Sequence, residues 1–140
     1  MRRLAPVVLL LALAACATSG APEVTVGLEQ LTSFSDLRFA GPINVEYRVT
    51  ATNPTDAPVT LTRIDIKTVG PGAYVLRTPT QPVNLTVPAK SSASVTITAR
   101  GSAAGGNANS AEPVTVRATA YFDTPAGPLT RVVNQNFGRE

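Results

Sequence analysis

The most reactive side chain in this sequence is that of Cys16, the only cysteine among 140 residues. It directly follows Leu13-Ala14-Ala15, and small residues in succession are typical of the site at which a signal peptidase cuts. Cleavage between Ala15 and Cys16 would place a thiol on the first residue of the mature protein. Because the chain has no second cysteine, this thiol has no disulfide partner within it.

The residues before Cys16 have the parts of a secretory signal in the expected order. Arg2 and Arg3 form a positive start, and an apolar run from Leu4 to Leu13 follows. This run is about half the length of the roughly 20 apolar residues that a membrane-spanning helix requires. We therefore expect residues 1–15 to be a cleaved signal peptide, residues 16–22 a flexible tether that begins at Cys16, and residues 23–140 one domain.

The four residues Leu13-Ala14-Ala15-Cys16 resemble the lipobox of bacterial lipoproteins. The resemblance implies that Cys16 is diacylated on sulfur, that cleavage falls between Ala15 and Cys16, and that the new amine can be acylated in turn. Two or three acyl chains hold a protein stably on a bilayer, whereas one is marginal. The expected location is the bacterial cell envelope, on its periplasmic or extracellular face. An Asp directly after the cysteine would resemble an inner-membrane retention signal. Ala17 stands there instead, which favours the outer membrane in a diderm organism. The alternative is an ordinary secreted protein with a cysteine in its cleavage region.

The rest of the chain offers no recognisable reaction centre. It has no His, its serines lie outside any Gly-x-Ser-x-Gly, and the only lysines are Lys67 and Lys90. A zinc site would need clustered Cys, His or carboxylates, and a calcium site usually draws on an Asp-rich loop. The carboxylates here are dispersed. We predict a non-enzymatic protein with no catalytic residues, no metal and no cofactor.

The charge balance gives no reason to expect a nucleic-acid partner. The chain has 12 Lys and Arg against 9 Asp and Glu. Loss of Arg2 and Arg3 with the signal leaves ten against nine, so the mature protein is nearly neutral. A nucleic-acid-binding protein would need a clustered basic face.

From Glu23 onward, apolar and polar residues alternate, which predicts half-buried β-strands. Between Pro58 and Gly70 the apolar positions change parity, which predicts a β-bulge or a strand switch near Thr62-Arg63. The segment 32–40 is predicted as loop or a short turn of helix, and 101–112 as a low-complexity loop. The alternating runs lie at 43–51, 83–87, 95–99 and 114–122, with a first strand expected at 23–30 and a last at 129–137. We predict an all-β, immunoglobulin or fibronectin type III-like antiparallel β-sandwich of about seven strands.

Residues 44–100 carry a further series of turn and strand motifs: Asn53-Pro54-Thr55, Pro58-Val59-Thr60-Leu61, Ile64, Ile66, Val87-Pro88-Ala89 and Val95-Thr96-Ile97. This series resembles the late-embryogenesis-abundant type 2 group, also called the water-stress and hypersensitive-response domain. The resemblance implies a fibronectin type III-like sandwich, a protective role and no catalytic residues. Thr55 stands where the group usually repeats Asn. A generic immunoglobulin-like or chaperone-like sandwich fits the same motifs.

Outward positions on the predicted strands supply the candidate contacts. Arg117 and Tyr121 share the polar parity of one strand, and we predict them as a contact patch. Arg48 and Arg117, with Arg63 or Lys67, could face anionic lipid headgroups or polysaccharide. The alternative is a solvated face with edge-protecting charges.

Three functions fit these observations. The first is a non-catalytic interaction module, held on the bilayer through Cys16, that binds an envelope protein through an edge strand or a loop end. The second is a protective protein of the late-embryogenesis-abundant type 2 kind. The third is an accessory binder of a small ligand or glycan.

Overall fold

The computed structural model describes residues 23–37, 41–77, 80–103 and 112–138, so the predicted signal peptide, tether and Cys16 lie outside the described residues. The described residues contain no helix, and therefore none that could cross a membrane. The strands are β1 (Thr25–Gln30), β2 (Pro42–Asn53), β3 (Val59–Val69), β4 (Tyr74–Leu76), β5 (Gln81–Val87), β6 (Ser91–Ala103), β7 (Val114–Thr124) and β8 (Gly127–Phe137).

The strands form two antiparallel sheets of four strands each. The first sheet has the order β1-β2-β6-β4 and the second the order β5-β3-β7-β8. Alternate residues of β2 and β7 are buried while their neighbours face outward, as a strand with one buried face requires. The two inner faces meet in one continuous apolar core. The predicted all-β sandwich is confirmed.

The change of parity in β3 is a β-bulge, the first of the two predicted alternatives. The pairing of β3 with both β5 and β7 shifts between Leu61 and Arg63. In the pairing with β7, Thr62 is the extra residue, and its hydroxyl donates to the Tyr121 carbonyl oxygen at 3.0 Å. As a result Leu61 and Ile64 are both buried although three positions separate them.

Two features of the sheets correct the sequence prediction. There are eight strands among the described residues rather than about seven, because the three-residue β4 is too short to show any alternation. β6 also continues through residues 101–103, which were predicted as the start of a loop, and pairs there with β4. Gly101 permits this approach, since a Cβ at that position would lie 2.5 Å from the Val75 carbonyl oxygen. Residues 104–111 of the predicted loop lie outside the described residues, and Glu112 lies in a bend before β7.

Asn53 fastens the turn after β2 to the turn after β5. It is fully buried, with a relative exposure of 0%. Its amide nitrogen donates to the carbonyl oxygens of Ala57, Val87 and Pro88 at 2.8, 3.1 and 3.2 Å. Its side-chain oxygen accepts from the backbone nitrogen and hydroxyl of Thr55 at 3.1 and 2.6 Å. One side chain thus fixes a turn of the first sheet against the second, which explains the Asn-Pro-Thr sequence as a structural element.

A second buried polar group links the far end of the core. The hydroxyls of Tyr47 and Tyr74 are 2.7 Å apart, and the Tyr74 hydroxyl donates to Gln30 Oε1 at 2.7 Å. The Gln30 amide nitrogen in turn donates to the Thr32 carbonyl oxygen at 2.7 Å. Each phenol therefore has a partner, as buried polar groups require.

Replacing Asn53 with Ala removes the side-chain hydrogen bonds between the two turns. We expect Asn53→Ala to lower the free energy of unfolding by about 2–3 kcal/mol, because buried carbonyl and amide groups lose their partners. Urea unfolding followed by circular dichroism measures the loss. Asn84→Ala, at an exposed position of β5, is the matched control and should change stability by less than about 0.5 kcal/mol. Equal effects of the two substitutions would contradict the assignment.

The buried tyrosine pair predicts a loss of stability in alkali. Burial raises the pKa of Tyr74 to about 12, and burial beside Tyr74 raises the pKa of Tyr47 as well. An unfolded tyrosine ionises at about pH 10, so the unfolded state releases these protons at a lower pH than the folded state does. The stabilising contribution is complete below about pH 10 and is lost as the pH rises through the folded pKa. Urea unfolding at a series of pH values should show this decline. The decline should flatten in Tyr47→Phe/Tyr74→Phe but persist in Tyr121→Phe, the control on the outer face.

Candidate functional site

The outer face of the second sheet gathers most of the predicted contact residues. In the register of β3 with β7, Lys67 lies directly opposite Arg117, and Arg63 lies directly opposite Tyr121. Since opposed residues of an antiparallel pair point to the same side, all four belong to one surface. We call these four residues the basic face.

Arg63 and Tyr121 form the first half of the basic face. The guanidinium carbon of Arg63 lies 3.7 Å from the centroid of the Tyr121 ring, within the range of a cation–π interaction. Arg63 Nε is also 3.8 Å from Asp65 Oδ1. That oxygen is shielded from solvent and has no hydrogen-bond partner among the described residues.

Lys67 and Arg117 form the second half. Like charges placed directly opposite each other across a strand pair are destabilising. Neither has a carboxylate oxygen within 4.0 Å in the described part of the chain. Arg117 Nε instead donates to Asn134 Oδ1, at 2.9 Å, on the neighbouring strand β8. The side chain of Arg117 is therefore held by a neutral group, and among the described residues neither cation of the pair has an ion-pair partner.

An exposed apolar side chain completes this surface. Val132 of β8 is 56% exposed and lies directly opposite Thr119 of β7, which in turn lies opposite Asp65 of β3. Asp65, Thr119 and Val132 thus form a cross-strand row, which lies between the row that contains Arg63 and Tyr121 and the row that contains Lys67 and Arg117. The surface thus combines cations, an aromatic ring and an apolar group.

The structure separates one predicted residue from the others. Arg48 lies on β2, in the first sheet, where its Nη1 is 3.0 Å from Glu29 Oε2. It shares no face with Arg117. Sequence reasoning missed Asp65, Val132 and Asn134, and the outward parity of Val132 was hidden by the mixed pattern of the last strand.

A second feature is a cavity of about 340 Å³ at one end of the sandwich, beside the start of β1. Its walls are mostly apolar and come from Val24, Ala57, Val59, Pro125 and Leu129. At its rim the Arg131 guanidinium lies 3.3 Å from the Glu23 carboxylate. The volume is at the lower end of the range for small-molecule sites.

Ala15 and Cys16, the predicted cleavage and lipidation positions, lie outside the described residues. Within residues 23–37, 41–77, 80–103 and 112–138, no three acidic side chains come together in a way that could hold a metal ion.

Comparison with known proteins gives similarity in fold alone. No protein-family model matches the chain, and no curated protein matches it. The crystal structure of a protein from Archaeoglobus fulgidus is similar, with a TM-score of 0.53 and 8% identity over 83% of this chain and 96% of that chain. An X-ray structure of a Northeast Structural Genomics Consortium target has a TM-score of 0.47 and 11% identity, covering 84% of this chain and 85% of that chain. The first of these supports the sandwich fold and says nothing about what this protein binds.

The opposed cations predict that Lys67 lowers stability. Lys67→Glu would place a carboxylate opposite Arg117, and we expect it to raise the free energy of unfolding by about 0.2–1 kcal/mol. The gain should shrink in high salt, since the pair is exposed. Urea unfolding at low and high ionic strength measures both effects. Arg48→Glu is the matched control and should destabilise, because it removes the ion pair with Glu29. A Lys67→Glu protein of unchanged or lower stability at low salt would show that the two cations do not repel each other.

Proposed function

We propose that this protein is a membrane-tethered, non-catalytic interaction module of the bacterial cell envelope, and that its basic face binds an acidic surface of an envelope protein. The observation that carries the proposal is the opposed pair Lys67 and Arg117 beside the Arg63–Tyr121 stack. A carboxylate seated between Lys67 and Arg117 would turn a repulsive arrangement into an attractive one.

The other residues of this surface favour a protein as the partner. Arg and Tyr are enriched among the residues that contribute most to protein–protein binding, particularly around a desolvated centre. Val132 supplies exposed apolar area at the β8 edge of the surface. Anionic headgroups would use the cations but leave Val132 without a role.

The tether belongs to the same proposal. Cys16 would carry the lipid, and the six residues between it and Glu23 let the two Cα atoms lie at most about 25 Å apart when fully extended. Such a tether keeps the sandwich close to the bilayer. A short tether also raises the effective concentration of the module for partners on the same membrane.

Binding of a small apolar ligand is a second candidate, favoured by the end cavity. Its mostly apolar walls and the polar pair at its rim are typical of ligand pockets. Ala57→Phe would fill the cavity. Loss of binding of an apolar fluorescent probe in Ala57→Phe, with binding retained in Lys67→Ser/Arg117→Ser, would favour this candidate over the basic face.

Crosslinking in living cells tests the interaction module. We expect one dominant envelope protein to be captured by the wild-type chain and identified by mass spectrometry. Capture should fall at least about tenfold in Lys67→Ser/Arg117→Ser, because the charges that recognise the partner are gone. Arg48→Ser/Arg100→Ser removes two outward cations from the first sheet and should leave capture unchanged.

Membrane attachment is read out separately in the same cells. Cys16→Ser should move the protein out of the membrane fraction, and the mature wild-type N-terminus should carry the mass of two or three acyl chains. Equal capture by all variants would exclude the basic face. No capture at all, together with loss of growth of a deletion strain only under desiccation or osmotic stress, would favour the protective role instead.

A further inference from the structure

The four edge strands of the two sheets differ in how they are protected. An edge strand presents unpaired N–H and C=O groups, and proteins block such edges by shortness, charge or proline. β4 has three residues, β1 has six, and β5 has seven with Pro82 among them. β8 has eleven residues, and within the described part of the chain it pairs only with β7.

Only the first half of β8 is protected. Arg131 points to the inner side, where its Nε donates to the Val24 carbonyl oxygen at 2.8 Å. An inward charge of this kind blocks an edge. From Val132 to Phe137 there is neither a charge nor a proline. Asn134, Gln135 and Asn136 are exposed in succession, so both faces of the strand are open to solvent there.

The residue types of this segment fit a second copy of the same strand. When two identical strands pair about a two-fold axis, the same patch serves on both sides, and a residue on the axis meets its own copy. A charged residue would then meet a like charge. Asn and Gln side chains carry both donors and acceptors, so they are complementary to themselves.

We propose that two copies of this chain pair through the open edge of β8, antiparallel and centred on Asn134. In this register Val132 lies opposite Asn136 of the partner subunit, and the two copies of Asn134 face each other. The second sheets join into one eight-stranded sheet.

The pairing has a consequence for binding that rests on the proposed function. A two-fold axis perpendicular to the joined sheet leaves both basic faces on the same side. An acidic partner would then meet two Lys67–Arg117 pairs on one surface, and its second contact would form at high effective concentration.

The test measures the mass of the Cys16→Ser chain in solution by light scattering over a wide range of concentration. We expect dimer at high concentration and monomer on dilution. Asn134→Asp retains an acceptor for Arg117 but places two like charges on the axis. It should raise the dissociation constant at least about tenfold, as should Asn134→Lys. Asn84→Asp, at an exposed position on the opposite edge strand, is the control and should leave the constant unchanged.

Mixing the two variants tests the register. Asn134→Asp and Asn134→Lys should form a mixed dimer at concentrations at which each alone is a monomer, because opposite charges then meet on the axis. A single thiol gives a second measurement, since Cys16→Ser/Asn134→Cys should oxidise to a disulfide-linked dimer faster than Cys16→Ser/Asn84→Cys.

A chain that is monomeric at every concentration, or thiols at 134 and 84 that oxidise equally, would overturn the proposal. The experiment contains no other protein, so its failure leaves the envelope partner of the basic face untouched. Conversely, failure of the capture experiment leaves the dimer intact.

Discussion

The structure depends on the extra residue at Thr62 in β3. Side chains of a strand alternate between faces, so a shift of one residue exchanges everything inside for everything outside. Before the bulge, Val59 and Leu61 point into the core, and after it Ile64 and Ile66 do. Without the bulge, the second half of β3 would direct its charged residues inward and leave two isoleucines in water. The same residue therefore decides both the core and the basic face.

Two buried polar groups fix the relative positions of the elements around the bulge. Asn53 fixes the turns at one end of the sandwich. The hydrogen bonds among Tyr47, Tyr74 and Gln30 link β2, β4 and β1 within the core. These groups connect elements that are distant in sequence, and each is satisfied by several partners. Because an unsatisfied buried group costs more than a satisfied one contributes, such networks favour one arrangement of the sheets over others. With no disulfide available to the described domain, this specificity comes from packing and hydrogen bonds alone.

Much of this architecture could be predicted from the sequence, for a physical reason. Alternation in β2 and β7 reports burial directly, and the parity change near Thr62 reported the bulge. β4 could not be predicted, because three residues show no period and their pairing with residues 101–103 depends on the close approach at Gly101. At the candidate site, parity placed Arg117 and Tyr121 on one side. It could not show that Lys67 and Arg63 lie opposite them, because register between strands is a tertiary property. For the same reason Arg48, similar in pattern, proved to belong to the other sheet.

The basic face and the open edge of β8 share a thermodynamic property. Each is an arrangement that stability alone would not favour, since opposed cations repel and an uncovered edge leaves backbone groups to water. The cost of the opposed cations is at most about 1 kcal/mol, against a total stability of about 5–15 kcal/mol for a typical domain. A sandwich whose turns and core are fixed by Asn53 and the tyrosine pair can tolerate such costs. Both features lie on the second sheet and converge at Asn134, which holds Arg117 and lies in the unprotected part of β8. The first sheet, by contrast, pairs its outward Arg48 with Glu29 and ends in short edge strands. This asymmetry between two sheets of equal strand number directs the search for partners to one face of the molecule.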